Sequence, residues 1–505
     1  MGGNRSRRVV QIGVAVLLSI VVGIMAFAAT DGELVVVQGA EPTGLDPTVH
    51  RENPTYNVTM NIFDSLLQRN ADGSITPALA ESFETLEDEN AWIFHLRPGV
   101  TFHNGEALTA DAVVATVNRI FDPALNSTRA TDLGWIETVE VIDELTVKII
   151  ANKTFALAEH YFSELQIIPP LHVAEVGTDF DAAPIGTGPF KFVRWDRGNQ
   201  VVLERNDDYW QGPAQVESVV FRFITSPASR VTTLLGGDAD LIADPPLSAM
   251  DQIENNPSTD LGIATGTRVM FVGLDTRQDS PLQDVRVRLA LNYAIDKQAI
   301  IENLLYGLAE ETVAMTTSTD LGFNPDLDPY PYNPTMARQL LIDAGYPNGF
   351  EISMDSLNGR YINDKEVAQA LAGFLSEVGI TVNINVLEFG AFNGAIFSHT
   401  SSPMYFAGWG NAPFDASYVY DFIIRSNGLL WTIDDPVIDA LINAGNSTIN
   451  QADRIAIYHT AAELILEAAP VIDLYKQPVL YGFSSRLTWT PRSDEFLWMY
   501  DAVLE

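Results

Sequence analysis

Between Pro77 and Asp111 the chain changes its apolar period, and that change limits the folds open to it. Trp92, Phe94 and Leu96 alternate with Ile93 and His95, the period of a strand. Pro98-Gly99 breaks the run, and Thr109 stands where a helix opening at Ala110-Asp111 needs its N-cap. The residues ahead of Trp92 read as a helical turn. Related patterns recur down the chain. Leu34 to Val37 form a strand that runs into a Gly/Pro loop, Gly39 to Pro47. Further alternations lie at Leu145, Val147 and Ile149, at Val219, Phe221 and Phe223, and at Val382, Ile384 and Val386. Between them Val367, Leu371, Phe374 and Val378 make one helical stripe, and Ile455, Tyr458, Ala462 and Ile465 another. Asp284 is placed to cap a helix starting at Val285. Strands alternating with helices indicate mixed α/β lobes.

A chain of 505 residues is too long for one core, because single cores stop growing near roughly 250–300 residues; two or more lobes are expected. No heptad run, internal repeat or low-complexity linker separates them. The lobe hinge is therefore predicted as a pair of strand crossings, near Gly266 and near Gln477-Pro478.

With 47% hydrophobic and 19% charged residues the chain fits a well-packed soluble protein. Its net charge of −37, with Lys supplying only 6 of the 29 basic residues, suits a solvated surface and argues against nucleic acid as a partner. It contains no Cys, so disulfides, thiolate chemistry, Cys-ligated metal and a lipid-modified Cys anchor are all excluded. At the N-terminus Arg5, Arg7 and Arg8 precede an apolar run from Val9 to Ala29 that closes with Ala26-Phe27-Ala28. This reads as a signal peptide over residues 1–28, cleaved after Ala28; a retained membrane anchor is the competing reading. Export to the periplasm or another extracytoplasmic space follows from either.

The literal sequence is more specific than its periods. The Pro77–Asp111 block resembles the signature segment of the family-5, peptide/nickel-type extracellular solute-binding proteins, the capture subunits of ABC importers. Five more segments resemble that family in its own order. They are Glu41-Pro42-Thr43-Gly44-Leu45-Asp46-Pro47, Asn61 to Leu66, Gly186-Thr187-Gly188-Pro189-Phe190 with the following Arg205-Asn206 and Tyr209-Trp210, Asp284 to Asp296, and Ala337-Arg338 to Ala344-Gly345-Tyr346.

The resemblance implies an α/β, two-lobe periplasmic-binding-protein fold of the large, cluster-C type. Lobe one would carry an extra subdomain, and the solute would bind in a cleft between lobes that close by hinge motion. Lobe one's core would comprise residues 31–61, 208–265 and 478–505, its extra subdomain 62–207, and lobe two 266–477. The partners implied are a small-molecule solute and the importer's permease and ATPase, with the receptor a monomer.

Candidate solute contacts follow from the same resemblance. On the first-strand loop they are Glu41, Thr43 and Gly44, residues that also suit a plain turn. On the second lobe they are Trp409, Gly410, Asn411 and Asp415. Peptide-binding members carry an Asp shortly after this Gly-Trp, pairing with the peptide's α-ammonium. Here Asn411 or Ala412 stands at that place and Asp415 lies further on. A neutral amide cannot supply the charge pairing, which favours an oligosaccharide, a modified peptide or an anionic metabolite. Trp409 reads equally as a stacking platform or a core aromatic. In the polar loop Gly359 to Lys365, Arg360 beside Tyr361 suits a bidentate carboxylate clamp; alternatively Asp364 caps the next helix and pairs with Arg360 at the surface. Arg268, near the predicted hinge, is a further candidate for the cleft.

No cofactor or metal is expected. The seven His are scattered, no H-E-x-x-H or G-x-S-x-G occurs, and Gly186-Thr187-Gly188 lacks the rest of a phosphate loop. Asp434-Asp435 precedes a Pro at a predicted helix start rather than forming a glycosidase pair. Besides an importer's receptor, two other functions are compatible with the chain: a receptor that reports to a membrane sensor, and a secreted hydrolase.

Overall fold

A computed structural model describes residues 32–50, 52–357, 360–387, 389–430 and 432–505. The signal segment predicted over residues 1–28, and Gly359, lie outside these. Among the described residues no helix is long and apolar enough to cross a membrane.

The first strand, Glu33–Gln38, shows how the large sheet is built. Its alternate residues face two different cores: Leu34 and Val36 on one side, Val35 and Val37 on the other. It pairs in parallel with Ser218–Phe223 on one edge and with Leu241–Ala243 on the other. A strand covered on both faces reads as an unbroken apolar run, as Leu34 to Val37 does. Among the described residues this sheet has 11 strands. From one edge it runs Ile380–Val386, Phe350–Ser356, Met404–Gly410, Thr259–Leu274, Val471–Ser484 and Leu241–Ala243. It continues through Glu33–Gln38, Ser218–Phe223 and Gln200–Arg205 to Phe190–Asp196, and the eleventh strand, Glu310–Glu311, pairs with Val471–Ser484 off this path.

Its centre is a pair of long antiparallel strands, Thr259–Leu274 and Val471–Ser484. Their register slips between Thr265 and Val269, opposite Pro478 and Lys476. At this slip Gly266 approaches the other strand so closely that a Cβ there would lie 2.3 Å from the Gln477 carbonyl oxygen. Only glycine fits such an approach. On one side of the slip the strands join Leu241–Ala243, on the other Met404–Gly410.

The largest core gathers around Val269–Leu274, the helices Val285–Ala294, Asp364–Glu377 and Gln451–Ala468, and the strands beside them. A separate core belongs to residues 66–167. There Ala80–Leu86, Ala91–Leu96, Thr146–Ala151 and Ile136–Asp143 form an antiparallel four-stranded sheet. Two later strands have buried residues in another core. Phe190–Asp196 and Gln200–Arg205 hydrogen-bond into the large sheet beside Ser218–Phe223.

Most local expectations have structural counterparts. Asp284 caps Val285–Ala294 by accepting the Arg286 N–H, and Asp435 caps Pro436–Asn446. Two do not. The helical turn expected ahead of Trp92 is the strand Ala80–Leu86, which pairs with Ala91–Leu96. The helix Ala110–Ile120 follows Thr109 as predicted, but the threonine side chain makes no capping bond.

Candidate functional site

Two adjoining cavities open beside the slip in the central strands, between those strands and the loops around them. The larger, about 590 Å³, is lined by Gln38, Asn57, Asp244, Arg268, Arg360 and Glu495 among others. The smaller, about 270 Å³, shares Arg268 and Arg360 with it and extends between Tyr361, Phe392, Ile396, Trp409 and Tyr418. Together they fall in the size range of small-molecule sites and combine a charged end with an apolar one.

The charged end is built from opposite sides. Arg268 lies on the central strand within the slip, and Arg360 comes from the loop ahead of Asp364–Glu377. The Arg360 guanidinium carbon stands 5.3 Å from the centre of the Tyr361 ring, and that of Arg268 stands 6.0 Å from it. Facing them, Asp244 follows the strand Leu241–Ala243 and Glu495 comes from the C-terminal segment. Arg268 Nη2 is 3.7 Å from Glu495 Oε1, and Asn53 Nδ2 donates to Glu495 Oε2 at 3.0 Å.

Both acidic residues occupy left-handed backbone, φ +51° at Asp244 and +66° at Glu495. Such strain in a side-chain-bearing residue persists only when the surroundings enforce it. At Asp244 the enforcing group is Arg230. Buried, it donates from Nη2 to the Asp244 carbonyl (2.8 Å), from Nε to that of Ala243 (2.9 Å) and from Nη1 to those of Ile224 and Thr225. Solvent in the cavity reaches Asp244, yet protein surrounds it. That desolvation, then the nearby Glu495 carboxylate, pushes its carboxyl up to about 6 against the opposing pull of Arg230, Arg360 and Arg268. Desolvation and the adjacent Arg268 lower the Arg360 guanidinium, which nonetheless stays cationic.

The predicted residues separate into two groups. Arg268, Arg360, Tyr361, Trp409 and Gly410 line the cavities. Tyr361 donates to the Gly408 carbonyl at 3.2 Å. Trp409 packs against Phe422 and Tyr418, and its buried indole N–H has no acceptor among the described residues. Asp364, expected to hold Arg360 at the surface, is buried and accepts the backbone N–H groups of Arg360 and Tyr361. It fixes the loop through its backbone.

The others do not line either cavity. Glu41 accepts from Trp195 Nε1 and the Gly198 N–H, both at 2.8 Å. Thr43 is exposed, with its N–H on Thr55 Oγ1. A Cβ on Gly44 would meet the His50 ring at 2.4 Å. The first-strand loop does reach the larger cavity, but through Gln38, Gly39 and Ala40. Asn411 is fully buried and its amide donates to Asp320. Asp415 is buried too, capping Ala416–Val419 and pairing with Arg454 at 2.8 Å.

Asp244, Glu495 and Gln38 were not among the sequence candidates. Asp244 carried a readable signal, since Asp244-Pro245-Pro246 is a loop at the end of a buried strand, like the first-strand loop itself. Glu495 carried none.

The model of the bacterial extracellular solute-binding proteins, family 5 (middle region), matches residues 74–429. Heme-binding protein A of Haemophilus influenzae is 27% identical over 480 residues, 88% of this chain and 87% of that protein. The glutathione-binding protein GsiB of Pectobacterium atrosepticum is 26% identical, over 92% of this chain and 91% of its own length. Among solved structures HbpA2 from Haemophilus parasuis superposes with a TM-score of 0.84 at 25% identity, covering 94% of this chain and all of that one.

Proposed function

This chain belongs to the bacterial extracellular solute-binding proteins of family 5, and from that membership we propose that it captures an amino-acid-derived zwitterion for an ABC importer. Proteins of this family bind solutes for transport and are not enzymes, and this chain shares that binding role. One observation carries the finer reading: two guanidiniums, Arg268 and Arg360, face two carboxylates, Asp244 and Glu495, across one cavity of about 590 Å³.

A free carboxylate suits the arginines, which can take it in charge-assisted, bidentate fashion. An ammonium suits Asp244 and Glu495. The neutral Asn411 and Ala412 therefore do not weigh against a peptide-like ligand, because the acidic partners stand on the opposite wall. The smaller cavity, with Phe392, Ile396 and Tyr418, takes an apolar arm, and the free Trp409 N–H takes an acceptor oxygen. Glutathione, named for a relative, carries carboxylates and an ammonium and is a reasonable first compound to test.

In this reading the lobes divide at the register slip. Residues 31–61, 190–265 and 478–505 form lobe one's core, the preceding 62–189 its subdomain, and 266–477 lobe two. Closure about Gly266 and Gln477-Pro478 brings the arginines to the carboxylates. The receptor works in the periplasm as a monomer and hands its solute to the permease and ATPase subunits.

Native mass spectrometry of the purified protein, followed by denaturation, tests the ligand class. Release of a small compound bearing both amine and carboxylate is expected. Release of a neutral oligosaccharide, with no stabilisation by dipeptides or glutathione in a thermal-shift titration, would overturn the zwitterion reading.

A further inference from the structure

Arg69 ends the short strand Leu67–Arg69, one arm of a hairpin with Ile75–Pro77. Its side chain is only 4% exposed and is held from behind by its own part of the molecule. Nη2 donates to Glu164 Oε1 at 2.7 Å, Nε lies 3.8 Å from Asp494 Oδ2, and the guanidinium sits over the Phe496 ring at 5.1 Å. Nη1, 3.4 Å from the buried His160 ring, reaches across to the Ala412 carbonyl oxygen at 2.5 Å. Ala412 is two residues beyond Gly410, the end of the strand whose Trp409 and Gly410 line the smaller cavity.

A second contact of the hairpin falls on the same loop. At Gly73, φ +85°, a Cβ would come within 3.0 Å of the Phe414 ring. Phe414 itself is in left-handed backbone, φ +54°. Within lobe two the loop is pinned by the Asn411 N–H on the Thr267 carbonyl and the Asn411 amide on Asp320. That anchoring leaves the Ala412 carbonyl turned towards the hairpin.

We infer that Arg69 is a positioning residue for closure: a clasp that favours the closed arrangement by seizing the Ala412 carbonyl while Gly73 seats Phe414. The inference rests on the division into two lobes proposed above. Opening costs the guanidinium this one acceptor, while Glu164, Asp494 and Phe496 keep it folded in place. The contact therefore exists in one arrangement and not the other, the condition for shifting an equilibrium. Because Trp409 and Gly410 lie on the strand feeding the clasped loop, closing the clasp also sets the wall of the solute pocket.

The cysteine-free chain allows clean spin labelling at Asn199→Cys and Glu366→Cys, exposed sites on opposite sides of the proposed hinge. Pulsed electron–electron resonance on the empty protein gives the distance distribution. The doubly labelled parent should show a short-distance population. Arg69→Met should lower the ratio of short to long distances by about tenfold or more, the scale of a lost charge-assisted hydrogen bond. Arg69→Lys should restore part of it. Should Arg69→Met fail to fold, Phe414→Gly decides, since glycine accepts that backbone and leaves the Arg69 partners untouched; it should shift the ratio in the same direction. A parent with only long distances, or a folded Arg69→Met whose distribution superimposes on the parent's, overturns the clasp. No solute enters this measurement, so its failure is separable from failure of the importer reading, which released ligand tests.

Discussion

Arg230 holds Asp244 by the backbone: its guanidinium donates to the Asp244 carbonyl at 2.8 Å and to three neighbouring carbonyls. The acidic group of the cavity thus stands on a left-handed residue stapled by a buried cation that never reaches the cavity itself. Arg230→Met should leave those carbonyls short of donors and cost about 2–4 kcal/mol of stability, read as a lowered denaturant midpoint. Solute affinity should fall as well, because the Asp244 loop would no longer be held. A variant that loses stability at unchanged affinity would show that the staple serves the fold alone.

Asp244 makes binding depend on pH. Its carboxyl is raised from 3.8 to about 6, so the folded protein holds that proton more tightly than the unfolded chain does. Two consequences follow with opposite signs. Between those two values the Asp244 contribution to stability falls as pH rises, and Asp244→Asn should abolish that fall. Affinity for an ammonium-bearing solute should rise over the same window, as the carboxylate forms. A solute's own ammonium and carboxylate do not titrate between about pH 5 and 7. Calorimetric titrations at pH 5 and pH 7 should therefore differ for the parent and agree for Asp244→Asn. Equal affinities for the parent at both values would remove Asp244 from the site.

The cavity's two arginines should be separable from its aromatic wall. Arg360→Ala should weaken a carboxylate-bearing solute by roughly 10–100-fold, and Arg268→Ala by a similar factor. Arg268→Ala also deprives Glu495 of the cation beside it, so the two changes should not add in a double-mutant cycle. Trp409→Phe keeps the packing against Phe422 but removes the indole N–H, and should cost about 1 kcal/mol of binding. Isothermal titration of the three single variants and the arginine pair decides this. A neutral effect of Arg360→Ala would exclude it as a carboxylate clamp.

Much of the architecture was legible because apolar period survives in single sequences. Leu34 to Val37, Val219 to Phe223 and Val382 to Val386 all lie in strands. Ala80–Leu86 was misread as helical because its polar, half-exposed residues carry little of the strand's alternation. The candidate site was legible only where residue type and place in the chain coincide, as at Arg360 in its polar loop, Arg268 beside the predicted hinge and Trp409 in its Gly-Trp segment. Glu41 and Asp415 look like ligand groups by type, yet Trp195 and Arg454 already satisfy them, and pairings 154 and 39 residues apart leave no local trace. Asp244 and Glu495 depend on left-handed backbone at non-glycine positions, a conformation imposed by distant partners such as Arg230.

Lys476 and Asp320 give the sharpest stability prediction. Both side chains are 0% exposed, and the Lys476 ammonium contacts both carboxylate oxygens at 3.0 Å. It also donates to Thr317 and Thr319, while Asn411 donates to Asp320. Lys476 stands beside the slip in the central strands, opposite Val269. Removing one member strands a buried charge without its counterion, so Lys476→Met should destabilise the protein by about 3–5 kcal/mol. Lys476→Met combined with Asp320→Asn removes both charges and should recover a good part of that loss. Chemical denaturation of the parent, the single and the double variant measures the coupling. If the double variant is no more stable than Lys476→Met alone, the cost lies in lost packing along the strand and not in the orphaned carboxylate.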